Sequence, residues 1–362
     1  MSPRLSYEFP DFCMPLSPRG LNPAWDRRGT RMYARAREHS LPTDPAVTRQ
    51  MVRTEPDFAT AVCLPDADPE RFEALCQYVI WVWAVDDGLD ERIPARDVVF
   101  VAVAVAVAVA VAVAVAVAVA ELARAVDGTA EPAGPVARAG RDINTRICAH
   151  RSSAWVEAFT AEVLMWLATF VREVATVRLG HSMTLEEYVP HRRATSVLGW
   201  FMHLSEYAVG VDLPHEVRVL PAMTEAGDRG AEWIGIYNDV YSVDREDAVR
   251  YPFNAVLITE DRRGCSRQKA VEAVNTLLTD LMKQYLAAVA RVPRELARVT
   301  ADEGVHRQVE RVLESYTTQV RGNYDYHRGS PRCVDSPRYP PIEQKAGVRP
   351  AYSTDERFGF RR

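Results

Sequence analysis

Two clusters of oxygen-bearing side chains, far apart in the chain, carry most of its chemical information. Asp86-Asp87-Gly88-Leu89-Asp90-Glu91 is the first, and Asn238-Asp239-Val240-Tyr241-Ser242-Val243-Asp244-Arg245-Glu246 is the second. Each follows a run of apolar and aromatic residues that reads as a buried helix, so each delivers oxygen ligands from an apolar wall. Hard cations take oxygen ligands, and Mg²⁺ beside phosphate is the usual case. Asn238, Ser242 and Glu246 stand at i, i+4 and i+8 and share one helix face, where they offer an amide oxygen, a hydroxyl and a carboxylate. Asp239 reads as a capping or supporting group. Asp86 and Asp90 form an i, i+4 pair of like charges, which costs a few tenths of a kcal/mol on a bare helix. A bound cation reverses that sign.

The elements that must hold these clusters are helices. Apolar residues recur at helical spacing over 69 to 91, 152 to 179, 185 to 209, 222 to 248, 266 to 292 and 302 to 328. Thr184 to Glu187 and Thr300 to Glu303 have the capping-box form and place two helix starts. Outside one stretch there are no alternating strands joined by hairpin turns, so the expected fold class is all-α. Residues 1 to 24, rich in Pro and Arg, read as a segment wrapping the surface, and 336 to 362 as a flexible tail after a domain spanning 1 to 335.

That one stretch is Val98 to Ala120, unbroken apolar sequence that ends in a strict Val-Ala repeat over 101 to 120. A transmembrane helix needs roughly 20 apolar residues. A span here would set Asp86 and Asn238 on opposite sides of a bilayer, and no short Lys/Arg-rich flank orients it. A strand of that length would run ~65 Å with no sheet to join. A helix of ~30 Å, apolar all round, suits a buried or partly buried position and is the preferred reading. Uncharged Val-Ala repeats also resemble aggregation-prone windows.

With 362 residues, 48% of them hydrophobic, the chain can bury a substantial core. Its net charge of −5 and the lack of a long basic run argue against nucleic acid as the main partner. Of its 44 basic residues all but Lys269, Lys283 and Lys345 are arginine, so arginine frequency alone marks no phosphate site. The six cysteines form no CxxC pair and the eight histidines no HExxH, which indicates neither a zinc site nor a disulfide framework. Met1 to Pro10 lacks the apolar core of a signal peptide, so the expected location is cytoplasmic.

Both clusters resemble the metal motifs of the class I terpene cyclases of bacterial type. The family's aspartate-rich DDxxD or DDxxxE is matched from Asp86 to Glu91, and its NDxxSxxxE at every defined position from Asn238 to Glu246. The family carries a diphosphate-sensing arginine followed by a linker and an effector residue. Arg192, 46 residues before Asn238, corresponds to that sensor, with Thr195 and Ser196 as linker and effector where other members often have Asp and Gly. Arg245 stands where the family places a base that reaches the diphosphate, whereas Arg193 reads as structural. Gly322 to Cys333 resembles the segment ending in the family's Arg-Tyr pair. Arg332 is the arginine, Cys333 replaces the tyrosine, Tyr326 replaces the expected tryptophan, and Arg338-Tyr339 follows as a second candidate pair.

The resemblance implies a helical bundle around an apolar cavity, with metal ligands Asp86, Asp87, Asp90, Asn238, Ser242 and Glu246, and Arg192, Arg245 and Arg332 on the diphosphate. Three Mg²⁺ and an isoprenyl diphosphate, most plausibly farnesyl diphosphate, are its expected cofactors and substrate, and related proteins often pair as homodimers. Trp83, one turn before Asp86, is the leading candidate to face a carbocation, with Phe58, Trp200, Trp233 and Tyr326 behind it. A buried aromatic at helical spacing is otherwise simply core. The competing functions are an inactive relic or diphosphate-binding protein and, less well matched, a chain-elongating prenyltransferase.

Overall fold

The structure, a computed structural model, describes residues 7–25, 38, 54–90, 116–132, 134–178, 181–196, 201–248 and 250–329; of 87–90 and 178 only the backbone is described. All regular structure among the described residues is helical: α1 (Pro56–Cys63), α2 (Pro69–Asp90), α3 (Pro135–Cys148), α4 (Ser153–Arg178), α5 (Leu185–Thr195), α6 (Phe201–Ala208), α7 (His215–Arg218), α8 (Pro221–Ala248), α9 (Ala255–Arg263), α10 (Arg267–Leu296) and α11 (Glu303–Gly329). Residues 116–126 are also helical.

Helix starts follow local chemistry. The Thr184 capping box forms: Glu187 N donates to Thr184 Oγ1 at 3.2 Å, and Thr184 N to Glu187 Oε2 at 2.8 Å. The second expected box does not form. Asp302 caps α11 instead, its Oδ1 accepting from Gly304 N at 2.6 Å and Val305 N at 3.3 Å, while Thr300 Oγ1 accepts from Asp302 N. A carboxylate next to the first helical residue, at the positive end of the helix dipole, outcompetes a hydroxyl two residues further out.

The helix expected over 185 to 209 is broken. Ser196 N closes the last turn on Arg192 O at 2.7 Å, and Ser196 then turns extended with φ −66° and ψ 128°. The hydroxyls of Thr195 and Ser196 bond back to Arg192 O and Arg193 O, each at 3.3 Å, and the latter takes up a carbonyl that a continuing helix would use. The chain is helical again from Phe201; residues 197–200, Trp200 among them, lie outside the described residues.

Core packing falls in two clusters. One holds Trp81, Trp155, Phe159, Trp166 and Phe170 from α2 and α4. Val119, Leu122, Ala125 and Val126 join it, so the end of the Val-Ala repeat is helical and packs into the core; the rest of the repeat lies outside the described residues, as does 336–362. Helix α4 is long and apolar enough to cross a membrane, yet its Trp155, Phe159, Trp166 and Phe170 face are core residues.

The other cluster surrounds the 28-residue α8, whose Trp233, Ile236, Tyr237, Val240 and Val243 have no exposed surface. Helices α5, α9, α10 and α11 pack directly against it. The N-terminal segment runs over the surface as expected: Tyr7 to Leu16 cover this cluster, with Phe12 set edge-on to Tyr237 at 5.0 Å and Asn275 Nδ2 donating to Asp11 O at 3.3 Å, while Leu21, Ala24 and Trp25 pack on the first cluster.

Gly322 lets α11 lie on α1. A Cβ there would stand 2.6 Å from Cys63 Cα and collide with the Val62 carbonyl, and backbone cannot swing aside as a side chain can. Gly322→Ala is expected to cost about 1–3 kcal/mol, read as a lower urea midpoint with the helical circular dichroism retained. An unchanged midpoint would show that α1 shifts freely.

Candidate active site

The second acidic cluster occupies the C-terminal half of α8. Ser242 and Glu246 are buried and Asn238 half-buried, because α5, α9 and α11 close around this helix. Arg192 reaches across from α5. Its Nη2 donates to Asn238 Oδ1 at 3.0 Å, its Nε lies 2.9 Å from Asp239 Oδ1, and the side chain is 16% exposed. The arginine and asparagine that stand 46 positions apart are thus hydrogen-bonded partners.

Gly235, one turn before Asn238, makes that reach possible. A Cβ there would stand 3.0 Å from Arg192 Cγ and 3.4 Å from Ser196 Oγ, so only a glycine leaves the arginine stem its present path.

Asp239 has no exposed surface. Its Oδ2 accepts from Tyr188 OH at 2.8 Å and Ala255 N at 2.9 Å. Burial pushes the Asp239 carboxyl up, to about 7, against the pull of Arg192. Burial also opposes the charge on Arg192 and is the largest single influence, but Asp239, Tyr188, Glu246 and Tyr251 together outweigh it and leave the guanidinium well above its ordinary value. Arginine has no neutral form within reach, so the ion pair is the state that satisfies both groups. Asp239 therefore holds Arg192 and caps α9 at once.

Glu246 is steadied by Asn254, whose Nδ2 donates to Glu246 Oε2 and to Asp239 O, both at 2.8 Å, while its Oδ1 caps α9 through Val256 N. Arg245 is exposed and lies 3.5 Å from Glu246 Oε1. Arg193 turns away from this group and braces α5 on α8 through Asp228 at 2.6 Å and Glu232 at 3.0 Å.

A divalent oxygen-seeking cation fits this set. The Ser242 hydroxyl is buried with no hydrogen-bond partner among the described residues, and it lies between two helix-face neighbours that present oxygen. A buried orphan hydroxyl costs roughly 1–3 kcal/mol unless something coordinates it. Among the described residues no group of three His, Cys, Asp or Glu is assembled. The set here is amide, hydroxyl and carboxylate, and the side chains of Asp87 and Asp90 lie outside the described residues.

The first cluster ends α2, with Asp86 half-buried. An aromatic path joins it to the second: Trp83 lies 6.2 Å from Tyr326, Tyr326 is followed by His327, and His327 Nε2 is 2.9 Å from Asn238 Nδ2. Phe58 packs on Tyr326 from the other side at 6.4 Å, and Tyr326 OH donates to Thr54 O. The structure therefore gathers Phe58, Trp83 and Tyr326. Trp233 is instead stacked on Tyr237 at 4.7 Å within the α8 core. Arg332, Cys333, Arg338 and Tyr339 lie outside the described residues.

Sequence reasoning missed Tyr188, Gly235, Asn254 and His327. Tyr188 was findable as the i−4 neighbour of Arg192, and Asn254 as an N-cap residue ahead of an apolar run. Gly235 and His327 carry no local signal, since their roles arise from helices that meet only in the fold.

Comparison with known proteins identifies the family. The profile of terpene synthase family 2, C-terminal metal binding, matches residues 77–284. The (2Z,6E)-hedycaryol synthase of Kitasatospora setae is 27% identical over 356 residues, 94% of this chain and 99% of that protein. The 7-epi-alpha-eudesmol synthase ((2E,6E)-farnesyl diphosphate cyclizing) of Streptomyces viridochromogenes is 26% identical over 217 residues, 57% of this chain and 63% of that protein. The solved structure of hedycaryol synthase in complex with HEPES superposes with a TM-score of 0.75 at 24% identity, covering 89% of this chain and 99% of that one. The profile spans more than half of the chain and both acidic clusters, and the chain belongs to terpene synthase family 2.

Proposed function

We propose that this terpene synthase ionises farnesyl diphosphate and cyclises the resulting allylic cation to a sesquiterpene, with three Mg²⁺ held by Asp86, Asp87, Asp90, Asn238, Ser242 and Glu246. The observation that carries this reading is Arg192 bonded to Asn238 Oδ1 beside a buried Ser242 hydroxyl with no partner among the described residues. Farnesyl diphosphate as substrate is supported by the likeness to an enzyme named for cyclising it. When bound, the metal supplies positive charge to the departing diphosphate.

The chain's own residues do the rest. Arg192 is a planar donor already bonded to Asn238 Oδ1, able to donate to diphosphate oxygens as the C–O bond breaks and its electron pair leaves with the diphosphate. Arg245, exposed beside Glu246, adds to the cationic side, and Arg332 is assigned to the diphosphate by the family resemblance alone. Thr195 and Ser196, at the break after α5, couple Arg192 to the chain that follows. Phe58, Trp83 and Tyr326 offer apolar, quadrupolar faces that keep water from the cation, each face contributing ~1–2 kcal/mol when desolvated.

Purified protein incubated with Mg²⁺ and geranyl, farnesyl or geranylgeranyl diphosphate tests this by mass spectrometry of the volatiles. The expected result is a C15 hydrocarbon or alcohol from farnesyl diphosphate. No volatile product from any of the three, with helical circular dichroism intact, overturns it. A longer diphosphate formed on adding isopentenyl diphosphate would identify a prenyltransferase instead.

A further inference from the structure

The Asn238 amide has two ends of nearly equal shape and opposite chemistry, and only the oxygen can face a cation. His327, 3% exposed on α11, decides between them. Its Nδ1 lies 2.8 Å from Asn323 O, and a carbonyl can only accept, so Nδ1 carries the hydrogen. Its Nε2 lies 2.9 Å from Asn238 Nδ2, an NH₂ that can only donate, so Nε2 is the accepting nitrogen of the ring. From the opposite side Arg192 Nη2, which can only donate, sits 3.0 Å from the other end, which must be Oδ1. The reverse amide would set oxygen against a lone pair and NH₂ against guanidinium. The rings of Tyr326, Tyr241 and Tyr237, at 5.2, 5.3 and 5.4 Å, hold the imidazole plane.

We propose that His327 is the positioning residue of the second metal motif: its Nε2 holds the Asn238 NH₂ on α11 and thereby turns Oδ1 to the cation site. Outer partners that orient a ligand commonly change metal affinity 10- to 100-fold when lost. This inference rests on the reading of Asn238 as a metal ligand. Arg192 can leave Oδ1 for a diphosphate while the His327 bond stays in place, so the amide does not depend on the arginine for its orientation.

The test titrates Mg²⁺ against the full chain with inorganic pyrophosphate and reads the rise in thermal midpoint, with farnesyl diphosphate turnover as a second readout. His327→Leu is expected to raise the half-saturating Mg²⁺ about tenfold or more, and His327→Gln, which can present an accepting oxygen, to recover most of that loss. In an Asn238→Asp background both ends are oxygen, and His327→Leu should have no further effect. A wild-type Mg²⁺ midpoint in His327→Leu, or the same loss in both backgrounds, overturns the proposal. If His327→Leu does not fold, His327→Met is subject to the same two criteria. No pyrophosphate response in the wild-type chain would instead remove the metal-site reading itself, and this inference with it.

Discussion

Asn238→Ala is expected to lower kcat/KM for farnesyl diphosphate on the order of 10³-fold and to abolish thermal stabilisation by Mg²⁺ with pyrophosphate. The side chain has Arg192 on its oxygen and His327 on its nitrogen, and the oxygen would also bind the cation. Truncation removes a ligand, releases the Arg192 guanidinium from one of its two side-chain anchors and leaves His327 Nε2 without this donor. Binding of a ligand to the folded state raises stability by RT ln(1 + [L]/Kd), about 2.7 kcal/mol at a hundredfold excess over Kd. Wild-type chain should therefore show a clear upward shift and Asn238→Ala none. The residue is half-buried at a helix surface, so the metal-free fold should survive. A pyrophosphate shift undiminished in Asn238→Ala would remove Asn238 from the site.

Arg192→Ala should be the more damaging change to the fold itself. Asp239 has no exposed surface and pairs with Arg192 at 2.9 Å, and removing one partner of a buried ion pair costs about 3–5 kcal/mol. The Tyr188 hydroxyl and Ala255 N still donate to Asp239, which places the expected loss toward the lower end of that range. Neutralising the carboxyl in the double variant Arg192→Ala/Asp239→Asn should return part of it, because the cost lies in the unpaired charge rather than in a missing contact. Arg192→Lys keeps the charge but cannot serve Asp239 and Asn238 from one planar fork, so it should retain stability better than it retains turnover. Urea midpoints of the four chains, set beside turnover of farnesyl diphosphate, separate the two effects. Equal stability of wild type and Arg192→Ala would show that Asp239 does not depend on this pair.

Much of this was legible in advance, for reasons that differ from element to element. Helices α2, α4, α8, α10 and α11 are long, and periodic burial over many turns leaves a strong imprint on the order of residues. The short α1, α7 and α9 leave little. Nine residues give about two and a half turns, and α9 is fixed as much by Asp239 at its start as by its own composition. The break after Thr195 was hidden, since hydroxyls that end a helix also occur within helices. The capping-box pattern starting at Thr300 pointed away from Asp302, although both are N-cap residue types and only backbone geometry separates them.

The order of residues alone determined the helical class, the ligand types and their alignment on one face of α8, because helical period turns spacing into direction. It also paired Arg192 with Asn238, through the family resemblance rather than through any local rule. Only the tertiary structure decided what those side chains touch. Asp239 proved to be a buried anchor for Arg192, Asn254 the support of Glu246, Gly235 the gap through which the arginine passes, and His327 the partner that orients Asn238. Each of these joins elements 8 to 89 residues apart, and such contacts are set by which helix faces pack together, a property of the whole bundle that no window of sequence contains.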